Sequence, residues 1–373
     1  MTRLLAPVSD RLEPVRSYFR RHRSLGVAAS VLLISIALPL LTRLPPFDGI
    51  QSTNAWVNAF TTATVYAVLA IGLNVVIGFA GLLDLGYAAF FALGGYTYAL
   101  VASPFHDIHL PFWPMLLAGG VVGALFGVLL GAPTLRLRGD YLAIVTLGFG
   151  EIVPITLLNA DKFTDGTNGI GGIDKPSIPG ILQFTLTNPW PMYALVLLIF
   201  TLVTIVIFRL EDSRLGRTWD AIREDELAAE SSGVNTVIAK LQAFAVGASI
   251  AGVIGVVNAA KLTIVAPDQF RFAVSISALA AVVLGGMGNT IGVATGAFVI
   301  YLFQSILLKQ LNTIVENFNI PLLGSVDFLE FQYVLYGIVL VLMMLKRPQG
   351  IFPARRRIRE FASESKPVRR GAR

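Results

Sequence analysis

The chain has 373 residues and a formal net charge of +6; 55% of its residues are hydrophobic and 14% are charged. It has no cysteine, which excludes disulfides and cysteine-ligated metal sites, and we predict no metal site and no catalytic residue. The positive charge does not predict a nucleic-acid partner, because most basic residues lie beside apolar runs, as membrane topology requires.

The N-terminal segment, residues 1–24, is basic and leads into an apolar run, Leu25–Leu41. A signal peptide begins in the same way, but no A-x-A-like cleavage site follows, and the chain continues TRLPPFDG. We therefore predict an uncleaved first membrane span, with residues 1–24 in the cytoplasm.

Long runs without charge or histidine dominate the rest of the chain. A helix needs about 20 apolar residues to cross the hydrocarbon core of a bilayer. The runs predict an all-α, polytopic membrane bundle, with a membrane domain over residues 25–345 and a basic cytoplasmic tail over residues 346–373. About ten spans fit, at 25–42, 56–79, 84–103, 113–135, 141–160, 190–208, 241–260, 275–287, 290–308 and 329–345.

Basic residues predict the orientation of these spans. With the N-terminus in the cytoplasm and the spans alternating, 23 of the 29 lysines and arginines fall on the cytoplasmic side. Such a bias is typical of cytoplasmic loops. The opposite orientation would translocate the cluster ARRRIRE, so we predict that both termini are cytoplasmic and that the loop over residues 209–240 faces the same side.

The span at 275–287 is short, and GGMGN at its end, residues 285–289, predicts a break in the helix. A re-entrant segment would reverse every later span and place the basic tail outside. The distribution of charge therefore favours a short or broken crossing. The block of spans 2–5 then begins on the outer side of the membrane, and the block of spans 7–10 begins on the cytoplasmic side. Two four-helix blocks of opposite orientation are compatible with an inverted repeat, which is common among transporters.

One charged segment, Arg209–Lys240, interrupts the apolar pattern. Leu215, Trp219 and Ile222 recur at helical spacing, which predicts an amphipathic helix at the membrane surface. Asp225 is placed to cap a second short helix, and Gly233 to end it. An ordinary solvated loop is the alternative, although a helix that carries a tryptophan needs something to pack on.

This segment resembles the cytoplasmic coupling loop of permeases from ATP-binding cassette (ABC) importers, the EAA loop, which docks in a groove of the ATPase subunit. The frame here is Leu227-Ala228-Ala229, three residues, then Gly233, with leucine in place of the first acidic residue and without the later Ile-x-Leu-Pro. GRTWDAIREDELAAESSGVN is similar to the version in branched-chain amino acid permeases. The coupling residues that the resemblance implies are Gly216, Arg217, Trp219, Arg223, Glu224, Asp225, Ala228, Ala229, Glu230 and Gly233.

The resemblance extends over most of residues 56–300. Gly72–Leu100, Leu135–Ile152, Thr164–Ile170 and Val282–Ala297 are similar, in the same order, to the LivM-type permease family. This implies a type II ABC importer-like fold in a bacterial inner membrane. It also implies four partner proteins besides membrane lipid: a LivH-type permease, two ATPases, and a periplasmic binding protein. The chain has no G-x-x-x-x-G-K-[ST] motif, so we expect ATP and magnesium only in the ATPases.

Polar residues within the predicted spans are candidates for lining a solute path. Glu151 lies halfway along the fifth span, where a charge should face protein or water, and a structural carboxylate is the alternative. Asp84 is a path candidate or a cap of the third span. The further path candidates are Asn74, Tyr87 and Asn289.

Two other features concern surfaces. TDGTNGI falls on an outer loop, where Thr164, Asp165, Gly166 and Asn168 are candidates for docking a binding protein, or form an ordinary glycine-rich turn. Five glycines in the third and fourth spans predict close helix approach, as small residues do in membranes: Gly94, Gly95, Gly119, Gly120 and Gly123.

Three functions remain open on the residues alone. A permease subunit explains the spans and the charged loop together. A self-powered carrier would explain the spans but usually needs ionisable residues at mid-membrane, where only Glu151 qualifies. An intramembrane enzyme would need clustered carboxylates or histidines. The resemblance favours branched-chain amino acids as substrate, with urea, short-chain amides or other amino acids as alternatives.

Overall fold

The structure, a computed structural model, describes residue 39 and residues 52–134, 140–178, 182–185, 188–308, 331–347 and 349–353. The basic N-terminal segment, the predicted first span apart from residue 39, and most of the basic tail lie outside the described residues.

The fold is built from α-helices with very short strands at one end. The α-helices of the described residues are α1 (Thr53–Asn74), α2 (Tyr87–Ala99), α3 (Phe112–Thr134), α4 (Asp140–Asn159), α5 (Asp161–Thr164), α6 (Trp190–Glu211), α7 (Arg214–Glu224), α8 (Glu226–Ser231), α9 (Thr236–Leu262), α10 (Phe272–Gly285), α11 (Thr290–Leu302) and α12 (Phe331–Lys346). Helices α1 and α11 continue as π-helices, Val75–Phe79 and Phe303–Leu308, and a 3₁₀ turn, Pro267–Phe270, precedes α10.

Three antiparallel pairs of two-residue strands lie within the loops. They are β1 (Ala102–Ser103) with β2 (Ile108–His109), β3 (Ile170–Gly171) with β6 (Ile264–Val265), and β4 (Ser177–Ile178) with β5 (Leu182–Gln183). In the second pair Ile170 lies opposite Val265. We call the end of the bundle with these strands the hairpin end, and the opposite end, which carries α7 and α8, the loop end.

Six helical stretches in the described part of the chain are long and apolar enough to cross a membrane. They are Thr53–Phe79, Phe112–Thr134, Tyr141–Asn159, Trp190–Glu211, Thr236–Leu262 and Pro267–Gly285. Large apolar side chains such as Leu117, Leu125 and Leu202 stay exposed on α3 and α6, as a lipid-facing surface requires. The polytopic helical bundle is therefore confirmed.

The predicted span at 84–103 is not one continuous helix. Helix α2 has 13 residues, which at 1.5 Å per residue gives about 20 Å. The preceding residues are not helical, because Gly81 takes a positive φ of 72° and the backbone N–H of Leu85 donates to Thr146 Oγ1 instead of to a helical carbonyl. The α2 helix starts beside the middle of α9, where the Tyr87 hydroxyl donates to the Gly247 carbonyl oxygen at 2.7 Å.

The break after the short eighth span is confirmed. Helix α10 ends at Gly285, and Gly286 takes a φ of 112°, which favours glycine. Residues near the C-terminus return to this break. The backbone N–H groups of Ile351 and Phe352 donate to the carbonyl oxygens of Leu284 and Gly285.

The two predicted blocks, α1–α4 and α9–α12, are reversed relative to each other. Helices α1 and α9 run antiparallel, since Lys261 Nζ donates to Thr62 Oγ1 near one end and Gly72 lies against Gly247 further along. Helix α9 packs on α2 and α3 of the first block, and α1 packs on α10 and α11 of the second. Each block thus lends its first helix to the other, as expected for an inverted repeat.

Glycines allow the closest of these contacts, as predicted. A Cβ atom added at Gly94 would lie 2.1 Å from the Gly252 carbonyl oxygen, and one at Gly123 would lie 2.3 Å from that of Ala248. Such distances leave no room for a methyl group. Helices α2 and α3 therefore approach the backbone of α9 directly.

Candidate coupling surface and cavities

The charged segment forms two short helices at the loop end, as the sequence predicted. Ser213 caps α7, because its Oγ accepts from the Gly216 N–H. Asp225 caps α8, because its Oδ1 accepts from the N–H groups of Leu227 and Ala228 at 2.9 and 3.0 Å. Gly233 follows α8 with a φ of 87°, a conformation that favours glycine.

Helix α7 is fixed to α9 by a tryptophan. The Trp219 side chain is 0% exposed, and its Nε1 donates to the Ala239 carbonyl oxygen at 2.7 Å. Ile222 is buried on the same face. Gly216 is buried where α7 begins, and a Cβ atom there would lie 2.3 Å from the Glu211 carbonyl oxygen at the end of α6.

Helix α7 is also fixed to the end of α1. The Arg223 guanidinium donates through Nη1 to the Gly78 carbonyl oxygen within the π-helix. Arg223 also lies against Gly81, where a Cβ atom would come within 2.9 Å of its Cγ. A π-helical turn departs from the regular ladder of backbone bonds and is often found at functional sites.

Helix α8 is fixed to α9 by an ion pair. Lys240 Nζ donates to Glu226 Oε1, and the two side chains are 7% and 33% exposed. Ala229 of α8 is also buried. The loop is therefore held at two points by α9 and at one point by α1, which are the two helices that cross between the blocks.

The coupling residues implied by the resemblance divide into two groups. Gly216, Trp219 and Ala229 are buried against this chain itself, and Arg223 is half-buried. Six are exposed: Arg217, Glu224, Asp225, Ala228, Glu230 and Gly233. Leu227, which stands at the first position of the Glu-Ala-Ala frame, is also 61% exposed. The exposed members lie on α7, the turn and α8, and form one surface that we call the coupling surface.

Three of the path candidates make hydrogen bonds that hold the fold together. Asn74 is buried, and its Oδ1 accepts from the Gly288 N–H at 2.9 Å, which joins the end of α1 to the α10–α11 break. Asn289 caps α11, and its Nδ2 donates to the Phe352 carbonyl oxygen. Tyr87 bonds to α9, as described above.

Asp84 neither caps α2 through the helix's own N–H groups nor lines either of the cavities described below. Its Oδ1 accepts from the N–H of Gly86, the residue before the helix, and the side chain is buried. This bond, two residues along the chain, is an Asx turn. Asp84 therefore stabilises the segment that leads into α2 and does not bond to an N–H group within the helix.

Glu151 lines a cavity of about 480 Å³ at the hairpin end, which we call the hairpin-end cavity. Its walls come from α4, the 3₁₀ turn, α10 and α12, and consist of Glu151, Pro154, Ile155, Leu158, Pro267, Asp268, Arg271, Phe272, Ala273 and Tyr333. Arg271 donates to Asp268 Oδ1 through Nε at 3.0 Å and through Nη2 at 2.6 Å. The cavity therefore combines both signs of charge with an apolar wall.

A second cavity of about 110 Å³, the tyrosine cavity, shares Ala273 and Tyr333 with the first. Its other lining residues are Tyr66, Val274, Ser277, Tyr301, Gln304, Gln332 and Tyr336. Tyr66 and Tyr301 stack with their ring centroids 3.8 Å apart, and the Tyr301 hydroxyl lies 2.7 Å from Ser277 Oγ. The lining has many hydrogen-bonding groups and no charge.

Sequence reasoning missed Arg271 and the whole tyrosine cavity. Charge within a predicted span distinguishes Glu151, but it cannot distinguish neutral polar side chains such as tyrosine and glutamine. The available signal was a set of tyrosines and glutamines in otherwise apolar helices, among them Gln304 and Tyr336, whose side chains bond to each other at 2.9 Å.

The predicted docking residues form a tight turn at the hairpin end. Thr164 is buried, and its hydroxyl donates to the Ala160 carbonyl oxygen at 3.0 Å. Asp165 and Gly166 take positive φ values of 57° and 49°. Asn168 is exposed beside them. This geometry agrees with the glycine-rich turn, and Asn168 is the member most open to a partner.

Residues 55–344 match the sequence profile of a family described as "Branched-chain amino acid transport system / permease component". The match covers more than half of the chain and includes the coupling surface and both cavities.

The chain belongs to this permease family.

Individual relatives agree with the assignment. The chain is similar to the permease protein LivM of the high-affinity branched-chain amino acid transport system of Escherichia coli K12, with 41% identity over 89% of this chain and 77% of the relative. A probable LivM of Methanocaldococcus jannaschii is 28% identical over 78% and 90%. The E. coli LivH permease is 24% identical over 79% and 93%. No solved structure matches.

Proposed function

We propose that this permease is a membrane subunit of an ATP-driven importer that carries branched-chain amino acids into the cytoplasm of a bacterium. Its partners in the inner membrane are a LivH-type permease and two ATPases on the cytoplasmic side, and a periplasmic binding protein delivers the substrate. The names of the relatives support the substrate. The basic residues near the loop end support a cytoplasmic position for the coupling surface.

The observation that carries this proposal is the anchoring of an exposed, partly charged surface to two membrane helices. Trp219 and Glu226 tie α7 and α8 to α9, and Arg223 ties α7 to α1. A force applied to the coupling surface therefore reaches the crossing pair α1 and α9 in both blocks. When ATP binding closes the ATPases, the loop moves with them, and the blocks tilt to open the path on alternate sides.

Substitution at the coupling surface tests this step. Deleting the loop would also remove the bond from Arg223 to Gly78, so a point change at an exposed position is more informative. Ala228→Arg places a large charged side chain on exposed α8 without touching an anchor, and Ala228→Ser, which keeps a small side chain at the same position, is the matched control. We expect Ala228→Arg to abolish ATP-dependent uptake in reconstituted vesicles with normal insertion, and Ala228→Ser to retain it. Equal uptake by both variants would contradict the docking of an ATPase on α8.

The substrate is tested separately, in vesicles that contain the complete complex and its binding protein. Leucine, isoleucine, valine, a short-chain amide and urea are compared at equal concentration. We expect ATP-dependent accumulation of the three amino acids. Uptake of urea without uptake of leucine would assign the complex to the urea and amide systems instead.

The hairpin end is the surface on which we place the binding protein. It carries the turn with Asn168 and the strand pairs. An exposed turn of polar residues next to a cavity is a suitable position for the transfer of a solute from a docked protein.

A further inference from the structure

We propose that the hairpin-end cavity is a binding site for the zwitterionic head of an α-amino acid, in which Arg271 binds the carboxylate and Glu151 binds the ammonium group. The inference rests on the proposed function and names the site at which this permease itself recognises the substrate.

The first step concerns the carboxylate. Arg271 has five N–H donors, and its two bonds to Asp268 end on one carboxylate oxygen. Asp268 therefore fixes the orientation of the guanidinium while other donors stay available. A planar guanidinium held in this way matches the paired oxygens of a carboxylate.

The second step concerns the ammonium group. Glu151 lies in the middle of an apolar helix, and its neighbour Ile152 is exposed as on a lipid-facing surface. A carboxylate at such a position is costly unless it faces water or a cation. Its side chain lines the same cavity as Arg271. An ammonium group between the protein walls would give it a positive partner.

The third step concerns the side chain of the solute. Pro154, Ile155, Leu158 and Phe272 line the same cavity and would contact a branched apolar side chain. The cavity volume of about 480 Å³ lies in the range of small-molecule sites. An apolar wall with a few placed polar groups is the usual composition of such sites.

These features favour a zwitterion over the other candidate solutes. A carboxylic acid without an amine would leave Glu151 unpaired, an amine without a carboxylate would leave Arg271 with Asp268 alone, and urea carries neither charge. The adjoining tyrosine cavity has only neutral lining groups, so it suits a solute whose charges sum to zero. The shared residues Ala273 and Tyr333 show that the two cavities adjoin.

The absence of cysteine in the chain allows a direct test by thiol protection. A single cysteine is introduced at the cavity wall, as Leu158→Cys or, in a second protein, as Ala273→Cys. Thr167→Cys, outside the cavity, is the control. The complex is purified through a tag on this chain, and the rate of labelling by N-ethylmaleimide is measured on this subunit without ATP or binding protein. The probes are leucine, leucinamide, 4-methylpentanoate and urea.

We expect leucine at about 10 mM to slow labelling about tenfold at both cavity positions if its dissociation constant is about 1 mM, and to leave the control unchanged. Leucinamide, 4-methylpentanoate and urea should protect little. Adding Glu151→Gln or Arg271→Gln should remove the protection, whereas Lys162→Gln, on exposed α5, should not.

Unchanged labelling with leucine at both cavity positions would overturn the proposal. Equal protection by leucine, leucinamide and 4-methylpentanoate would also overturn it, because the site would then not distinguish solutes by their ammonium and carboxylate groups. The result is independent of the proposed function: uptake without protection would refute only the site, and protection without ATP-driven uptake would refute only the importer.

Discussion

Trp219 joins the coupling surface to the longest helix of the described residues. Its ring is buried and its Nε1–H donates to the Ala239 carbonyl oxygen, so it contributes both apolar packing and a directional hydrogen bond. A tryptophan on a short surface helix would otherwise be exposed to water. Its burial explains why the amphipathic pattern of α7 is present in the sequence.

Two substitutions at Trp219 separate these contributions. Trp219→Phe keeps most of the apolar volume and loses one hydrogen bond, so we expect a loss of about 1 kcal/mol in the free energy of unfolding. Trp219→Ala leaves a cavity and should cost about 3–5 kcal/mol. Thermal unfolding in detergent measures stability, and the ratio of ATP hydrolysed to solute moved measures coupling. The prediction fails if Trp219→Ala unfolds at the temperature of the wild type.

The ion pair of Glu226 and Lys240 gives a second residue-scale prediction. Glu226→Gln leaves the ammonium of Lys240, whose side chain is 7% exposed, without its carboxylate. Breaking a fully buried pair costs about 3–5 kcal/mol, but Glu226 is one-third exposed, so solvent screening reduces the expected loss to about 1–2 kcal/mol.

Glu224→Gln is the matched control, because Glu224 lies two residues away at the end of α7 and is exposed. We expect it to change the melting temperature by much less than Glu226→Gln. Equal effects of the two substitutions would show that the ion pair does not hold α8.

At the residue scale the sequence predicts caps and ends well but partners poorly. Ser and Asp at helix starts, such as Asp225, have their hydrogen-bond partners within three residues, so the pattern is local. Asn74 and Tyr87 bond to Gly288 and Gly247, which are far away along the chain. Polar side chains in a span look alike in the sequence whether they line a path or join two helices.

At the scale of elements, glycines decide how closely α3 and α9 approach. Gly119, Gly123, Gly127 and Gly131 recur every four residues on α3, and each faces α9. The repeated spacing places them on one face of the helix, so close approach is predictable from the sequence. The partner helix is not, because nothing local in α3 specifies α9.

Replacing one of these glycines tests the contact. Gly123→Ala would place a methyl group 2.3 Å from the Ala248 carbonyl oxygen, and the two helices would have to separate. We expect a loss of about 1–3 kcal/mol, the usual cost of overpacking. Gly148→Ala in α4 is the control, since no atom lies within 4 Å of the added methyl group. The comparison is made by thermal unfolding, and equal stability of the two variants would contradict direct backbone contact.

The length of α2 shows where prediction of elements fails. The run over residues 85–105 has no charge and predicts a full span, yet the helix begins only at Tyr87 and ends at Ala99. The lead-in is held in a non-helical path by Gly81 and by the bond from Leu85 to Thr146 on α4. Hydropathy indicates that this segment is buried, but it does not indicate whether its backbone is helical.

For the whole molecule, the crossing of α1 and α9 is the feature that unites fold and function. Each helix packs mainly on the opposite block, and the coupling surface is attached to both. We therefore expect a movement at the loop end to change the position of one block relative to the other instead of bending one of them. The hairpin-end cavity lies between α4 and the later helices α10 and α12, so it includes residues from both blocks.

The reversed blocks were predictable from charge, since the positive-inside bias sets the direction of each span. The exchange of first helices between the blocks was not, because charge orients helices without choosing their neighbours. The cavities depend on that exchange. For this reason Glu151 could be singled out in the sequence, whereas its position near Arg271 required the structure.

The most direct test of the account compares two sets of vesicles with ATP inside and binding protein outside. One set contains this permease alone, and the other contains it with the second permease and both ATPases. We predict accumulation of leucine against its gradient only with the complete complex, and loss of that accumulation with Ala228→Arg. Accumulation by the permease alone, unaffected by Ala228→Arg, would contradict the claim that an external ATPase drives transport through α7 and α8.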